Sequence, residues 1–348
     1  MTITKHKWAE HQNKDVFLYS LDNGKMQVTI TNFGCIINAI LLNVNGTKRN
    51  IVLSYESFAE YVADQFYLGC VVGRFANRIS GGTFEIDGRQ HQLSINEPTL
   101  NNHVHGGFEG FGKKLFEPIS ESIGDNESSV TFRYVSVHNE EGYPGTVELV
   151  VTFTLNIANE ITIAYRAVAD QPTHVNLTHH TYFNLDGSKL DATNHSLYIN
   201  ANQFLESNER FLPTGNILQV QDTTFDFREM RKVFLQKGTE PEPVYNTFFM
   251  FAENAGHMQA VLANGTGELS VGVGTSLPGV LLYTGDYLDM PFVKYGGICL
   301  ECQYPPDTPN HAAFPSTLLM PGDVFDHYTR YTIRGGLNER AVDHQTAQ

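Results

Sequence analysis

Positive charge is scarce in this sequence. Its 348 residues include 23 Lys and Arg against 38 Asp and Glu, for a net charge of -15. Such a field repels nucleic acid and anionic membrane, and it does not favour a phosphorylated substrate; a neutral small molecule suits it better. Cysteine is scarce too. Cys35, Cys70, Cys299 and Cys302 are irregularly spaced, as in a chain kept in a reducing cytoplasm. Cys299 and Cys302 make an isolated C-x-x-C with no second pair and no nearby histidine, so buried thiols on a strand are expected there, not zinc or redox chemistry. Long apolar runs are missing: no stretch is long enough to span a bilayer as a helix. The opening residues, with Lys5, Lys7 and Glu10, have no apolar run for a signal peptide, and a cytoplasmic location is expected. Amphipathic helical periodicity is rare as well. Only residues 56–63 and 229–235 offer short helix candidates. Without repeats, low-complexity tracts or long linkers, the chain reads as one domain over 1–348, with a loose tail from about residue 338.

Strand signals fill the space that helices leave. Short stretches at 26–30, 82–86, 129–135, 147–155 and 161–167 are rich in β-branched or aromatic residues and bounded by Gly, Asn, Asp or Pro. Further stretches fall at 197–200, 269–273, 280–284 and 298–303. Turn sequences recur between them: Asp22-Asn23-Gly24, Asn45-Gly46, Asp87-Gly88, Asp186-Gly187 and Asn264-Gly265. Many short strands at regular spacing predict an all-β fold, a large antiparallel β-sandwich.

Four segments hold residues able to do chemistry. His103 and His105 lie two apart on an extended segment and are expected to face the same way; such a pair can suit a metal, but no carboxylate cluster adjoins it. His179 and His180 are adjacent, so on a strand they point to opposite faces and at most one of them serves a given cleft. A hydrogen-bonded structural role is the commoner fate of any single histidine. Glu301 sits in an alternating strand. Ile298, Leu300 and Cys302 line one face, and Cys299, Glu301 and Gln303 the other. If that second face lines a pocket, partial burial raises the Glu301 pKa and makes it a competent general base. In Gly73-Arg74-Phe75-Ala76-Asn77-Arg78-Ile79 the arginines lack the glycine run of a P-loop, and Arg78 can hold neutral hydroxyls as a rigid fork of donors.

Taken together these segments resemble the galactose mutarotase (aldose 1-epimerase) family, in the family's order. The matching segments are 73–79, His105-Gly106-Gly107 with Gly110-Phe111, 176–185, Phe225-Asp226-Phe227-Arg228, Tyr283-Thr284-Gly285, Leu300-Glu301-Cys302-Gln303, 306–310 and 318–322. The resemblance spans nearly the whole chain. It implies a large antiparallel β-sandwich with an open sugar-binding cleft, and an isomerase that interconverts the anomers of a free aldose such as galactose or glucose. Carried over by position, Glu301 is the catalytic base and His180 the catalytic acid. Asn77, Arg78 and His105 are ligands of the sugar hydroxyls, and Tyr182 lines the same cleft. No metal and no cofactor are implied; the partner is a monosaccharide, and the oligomeric state is open. The sequence departs from the family near the site. A family Asp-His pair falls at Tyr245-Asn246, which places Tyr245 at a sugar-contacting position, or Asn246 with a shift of one residue. A family Gln falls at Leu281, an Asn at Asp286, and Gly-Phe-Asp-Lys reads Gly110-Phe111-Gly112-Lys113. The departures at Tyr245 and Leu281 leave open a mutarotase-like sugar-binding or regulatory protein with little catalysis; a sugar-phosphate epimerase on the same fold is a further alternative, which would need basic residues beyond Arg78 and which the net charge disfavours.

Overall fold

The computed structural model describes residues 1–44, 47–187, 190–237, 240–252 and 258–335. The turn expected at Asn45-Gly46 and the tail expected from about residue 338 lie outside these residues. Three antiparallel sheets carry the architecture. The first has five strands in chain order: Thr2–His11, Lys14–Asp22, Met26–Thr31, Ile37–Val44 and Thr47–Asn50. The second has nine, ordered Glu117–Ile123, Glu127–Ser136, Val147–Asn156, Glu160–Ala169, Phe325–Gly335, Leu269–Thr275, Ala260–Ala263, Ser196–Ile199 and Arg231–Lys232. The third has six, ordered Tyr182–Phe183, Ile298–Gln303, Gly279–Tyr283, Asn246–Met250, Gln203–Ser207 and Pro213–Gln219.

Alternation decides where the core lies. In Val147–Asn156 the apolar residues Val147, Leu149, Val151, Phe153 and Leu155 are all buried, while the residues between them are partly exposed. They join Tyr19, Val28 and Ile30 of the five-stranded sheet and Phe183, Leu282 and Leu300 of the six-stranded sheet in one apolar cluster. The core is therefore a sandwich, with the nine-stranded sheet on one side and the other two sheets on the other. This leaves the six-stranded sheet a second face, where Tyr182, Phe248, Leu281, Tyr283 and Cys299 form a separate cluster.

The predicted strands are all present, with ends shifted by a residue or two. The helix prediction held once. Residues Phe58–Ala63 form a helix capped by Ser57, whose hydroxyl accepts from Glu60 N–H while Glu60 Oε2 accepts from Ser57 N–H at 2.8 Å. The second candidate, residues 229–235, is not a helix. There Arg231–Lys232 pairs antiparallel with Ser196 and Leu197 at the edge of the nine-stranded sheet, so sheet hydrogen bonds take the place of a helical turn too short to stand alone.

Candidate active site

Glu301 stands on the second face of the six-stranded sheet, in the middle of Ile298–Gln303. Ile298, Leu300 and Cys302 pack into the main core, and Cys299, Glu301 and Gln303 point the other way, as the sequence alternation predicts. Although it is a carboxylate, Glu301 is only 1% exposed. Its cross-strand partner is Leu281, which in turn pairs with Phe248, so its neighbours within the sheet are apolar. Burial pushes its carboxyl up to about 8, against which the Arg78 charge acts weakly. Its Oε2 is buried and has no hydrogen-bond partner. A buried carboxyl left unpaired is costly, and such groups mark sites that await a ligand.

His180 Nε2 lies 3.6 Å from Glu301 Oε1. Two tyrosines lie against the ring. Tyr67 stacks at a centroid distance of 6.0 Å and Tyr182 lies at 4.9 Å on a ring tilted by 33°. The Tyr182 hydroxyl is spent on the Phe66 carbonyl at 2.9 Å, so Tyr182 enters the site as a ring under His180 and not as a hydrogen-bonding group. Behind the imidazole, Cys299 Sγ lies 3.5 Å from Nδ1; a thiol proton donated there leaves the other ring proton on Nε2, toward Glu301. Desolvation lowers the His180 pKa to about 4. Burial therefore favours the uncharged form of both partners.

His105 completes the group. Its ring centroid is 5.3 Å from that of His180. The residue has φ 51°, and Gly106 follows with φ 88°, where a Cβ would sit 1.8 Å from the Gly73 carbonyl oxygen. This sharp turn ends the strand Asn102–Val104 and separates the two histidines that sequence spacing put on one face. His103 is directed elsewhere, its Nδ1 2.8 Å from Ser94 O and its Nε2 2.7 Å from the Tyr143 hydroxyl. His105 Nδ1 accepts from Asn77 N–H at 3.2 Å, which places the ring proton of the neutral imidazole on Nε2. Burial, then the neighbouring His180, Arg78 and His103, push its pKa far down.

Ligand atoms of His105, His180 and Glu301 all lie within 4.8 Å of one another. A metal there would need the Nε2 lone pair of His105 and so a proton on Nδ1, directed at the Asn77 N–H. The donor set fits a hydrogen-bonded ligand better than a cation.

Asn77 and Arg78 reach the site from a turn. Asn77, at φ 63°, accepts the Arg78 N–H on Oδ1 at 2.9 Å, and the strand Arg78–Ser80 is held by Asp307, whose N–H donates to Arg78 O at 2.8 Å. Arg78 donates from Nε to Glu97 Oε2 at 2.9 Å and from Nη2 to Glu97 Oε1 at 2.8 Å. Among the described residues Nη1 bonds to none. The sequence reading missed Glu97, because the partners lie 19 residues apart in loops whose pairing no periodicity announces. It also missed Tyr67, the second ring against His180. Arg74, the other arginine of the motif, is structural, with both Nη nitrogens on Ser136, Pro144 and Gly145.

Tyr245 needs correction. It lies in the main core, with its ring beside Phe225 and Phe227 and its hydroxyl donating to Thr224 O at 2.6 Å. Alternation puts Asn246, not Tyr245, on the same face as Phe248 and opposite Tyr283. Leu281 does lie beside Glu301, as its motif position implied. Asp286 has one buried oxygen without a partner, and burial raises its carboxyl pKa. A hollow of about 400 Å³ adjoins the site across Tyr67 and His105, lined also by Asn96, Cys70, Phe108 and Lys113; neither His180 nor Glu301 lines it. No helix among the described residues is long and apolar enough to cross a membrane.

The chain matches the family model described as Aldose 1-epimerase over residues 18–332. It is 37% identical over 324 residues to galactose mutarotase from Homo sapiens, covering 89% of this chain and 92% of that protein. With aldose 1-epimerase from Escherichia coli K12 it shares 31% identity over 326 residues, again covering 89% and 92%. The crystal structure of galactose 1-epimerase from Lactobacillus acidophilus superimposes with a TM-score of 0.85 at 26% identity, over 96% of this chain and 99% of that one.

Proposed function

The chain belongs to the aldose 1-epimerase family, and we propose that Glu301 and His180 carry its reaction as a pair that passes one proton through the sugar. The enzyme is an isomerase that interconverts the α and β anomers of a free aldose. Galactose and glucose are the proposed substrates, and supply of the correct anomer to sugar catabolism in the cytoplasm is the proposed role.

The observation that carries this reading is the approach of His180 Nε2 to Glu301 Oε1, 3.6 Å, in a buried site where Glu301 Oε2 has no partner. A sugar whose O1 meets the carboxylate and whose ring oxygen O5 meets the imidazole supplies the missing contacts. The Glu301 carboxylate takes the O1 proton; C1=O1 forms as C1–O5 breaks, and O5 takes the proton of His180 Nε2. Rotation about C1–C2 turns the other face of the aldehyde to O5. Closure reverses the transfers: Glu301 returns its proton to O1, and His180 recovers the O5 proton. No oxidation state changes.

Burial shapes this cycle. Ring opening converts imidazolium and carboxylate into imidazole and carboxylic acid, the forms that desolvation favours at both residues. The free site holds its single proton mainly on Glu301. Hydrogen bonds from sugar hydroxyls to the carboxylate stabilise its ionised form on binding, and the proton passes to His180. The proposed donors to the other hydroxyls are Arg78 Nη1, the Asn77 amide and His105 Nε2. They hold the sugar so that both transfers occur within hydrogen-bond reach. Polarimetry on freshly dissolved galactose, glucose and other aldoses tests the function. Faster decay of optical rotation with enzyme than without is expected for at least one of them, and its absence for every aldose would refute the reading.

A further inference from the structure

We propose that Glu97 is a specificity-determining residue that confines this site to uncharged sugars by cancelling the charge of Arg78 while leaving one edge of its guanidinium free. The inference rests on the reading of the site as a free-aldose site and adds to it the residue that excludes anionic sugars.

The geometry begins with the guanidinium. A planar fork that grips one carboxylate on Nε and Nη2 has those donors fixed in place. Glu97 is itself fixed, since Asn102 Nδ2 donates to Oε2 at 2.8 Å and the backbones of the two residues exchange hydrogen bonds at 3.2 Å. Burial raises the Glu97 carboxyl, but the bonds and charge of Arg78, the Asn102 amide and the charge of Arg210 outweigh it and hold the pKa below the usual range. Nη1 stays free, beside the face of the Phe211 ring, whose centroid is 4.9 Å from the guanidinium carbon. It can donate to sugar hydroxyls, which need donors and no net charge.

The remaining charges of the neighbourhood point the same way. His105 and His180 are held uncharged by burial. Arg210 is engaged with the Leu100 and Asn101 carbonyls and Asn102 Oδ1. Lys113, in the adjoining hollow, is engaged with the Tyr61, Val62 and Asp64 carbonyls, and Glu301 and Asp286 are acids. A phosphate or carboxylate on the sugar would enter a largely desolvated cleft and meet the Glu97 carboxylate, and in the ionised state that the reaction needs the Glu301 carboxylate as well, without a free cation to answer it. Discrimination by an unanswered charge is strong, because the penalty falls only on the wrong ligand. The chain's net charge of -15 adds a long-range bias of the same sign.

The test compares galactose with galacturonate, and measures competition by inorganic phosphate, in the wild type and in Glu97→Gln. Wild-type kcat/KM is expected to be at least about 100-fold lower on galacturonate than on galactose. Inorganic phosphate should compete weakly. In Glu97→Gln the galactose-to-galacturonate ratio should fall by about tenfold or more, and phosphate inhibition should tighten by a similar factor. Some rise in KM for galactose accompanies this, because Arg78 loses its clamp. Should Glu97→Gln not fold, Glu97→Ala, which leaves room for water beside Arg78, replaces it with the same criteria. Equal wild-type activity on the two sugars would overturn the proposal. So would a folded variant whose ratio and phosphate inhibition match the wild type. Failure of the wild type on galactose and every other neutral aldose would instead refute the underlying reading of the site.

Discussion

His179 and His180 are neighbours in the chain and have opposite surroundings. His179 faces the core, with Nδ1 2.6 Å from the Thr181 hydroxyl and Nε2 3.2 Å from the Cys35 carbonyl, so both ring nitrogens are engaged. His180 faces the second side of the six-stranded sheet, with Nε2 3.6 Å from Glu301, beyond an ordinary hydrogen bond. The same division recurs in the other two motifs. Arg74 spends its Nη nitrogens on the protein whereas Arg78 keeps Nη1 free, and His103 is bonded at both nitrogens whereas His105 is bonded at Nδ1. On the proposed reading each motif thus supplies one side chain to build the fold and one to serve the site. Unspent hydrogen-bonding capacity at His180, His105 and Arg78 Nη1 sets the proposed site residues apart, although Arg74 too leaves its buried Nε unpaired.

Substitution should separate them in opposite currencies. We expect His180→Asn to remain folded and to lose ~10²–10⁴-fold in kcat/KM, the usual contribution of a positioned acid. His179→Asn should keep its rate and lose about 2 kcal/mol of stability, roughly 1 kcal/mol for each bond removed. Urea unfolding and polarimetry on both variants check this. A stable, fully active His180→Asn, or a stable but inactive His179→Asn, would break the comparison.

A bell-shaped pH profile is the next expectation. In the proposed mechanism the site works with one proton shared between Glu301 and His180. Below about 4 the pair takes up a second proton on His180, and above about 8 it loses its last one from Glu301. Activity should therefore fall as pH drops through the lower value and as it rises through the upper one, and the two values belong to the pair. A kcat/KM profile that is flat from pH 3 to 10 would contradict this.

Leu281→Gln is a smaller change on the site side alone. An amide beside Glu301 hydrates the carboxylate and can bond to it, so the upper limb of the profile should move to lower pH. KM for galactose should change by several-fold, at little cost in stability. An unchanged profile with unchanged KM would show that this position does not touch the reaction. Prolonged chelation is expected to have the least effect of all, none on the rate. Activity lost to a chelator and restored by a divalent cation would show that His105, His180 and Glu301 hold a metal after all.

The sequence revealed the members of the proposed site better than their partners. Glu301 was legible because alternation along Ile298–Gln303 is strict, and His180 because adjacent residues on a strand must part. The fold was legible in strands such as Val147–Asn156, where one face is buried and the other open, although Phe325–Gly335, built the same way, was not read as a strand. Nor was it legible in Thr2–His11, an edge strand mostly exposed on both faces, where no alternation arises. Tyr245 was misassigned because one residue of register exchanges core and site, and the core won through Phe225 and Phe227. The pairing of Arg78 with Glu97 left no trace in the sequence, since it depends on how two loops meet. His103 and His105 looked equivalent until the left-handed turn at His105 and Gly106 set them apart.

The most direct test follows the optical rotation of freshly dissolved α-galactose with equal amounts of folded wild type and Glu301→Gln. If Glu301 takes the anomeric proton, the wild type will speed the decay and the variant will leave it within a few-fold of the spontaneous rate. A variant within about twofold of wild type would contradict the account.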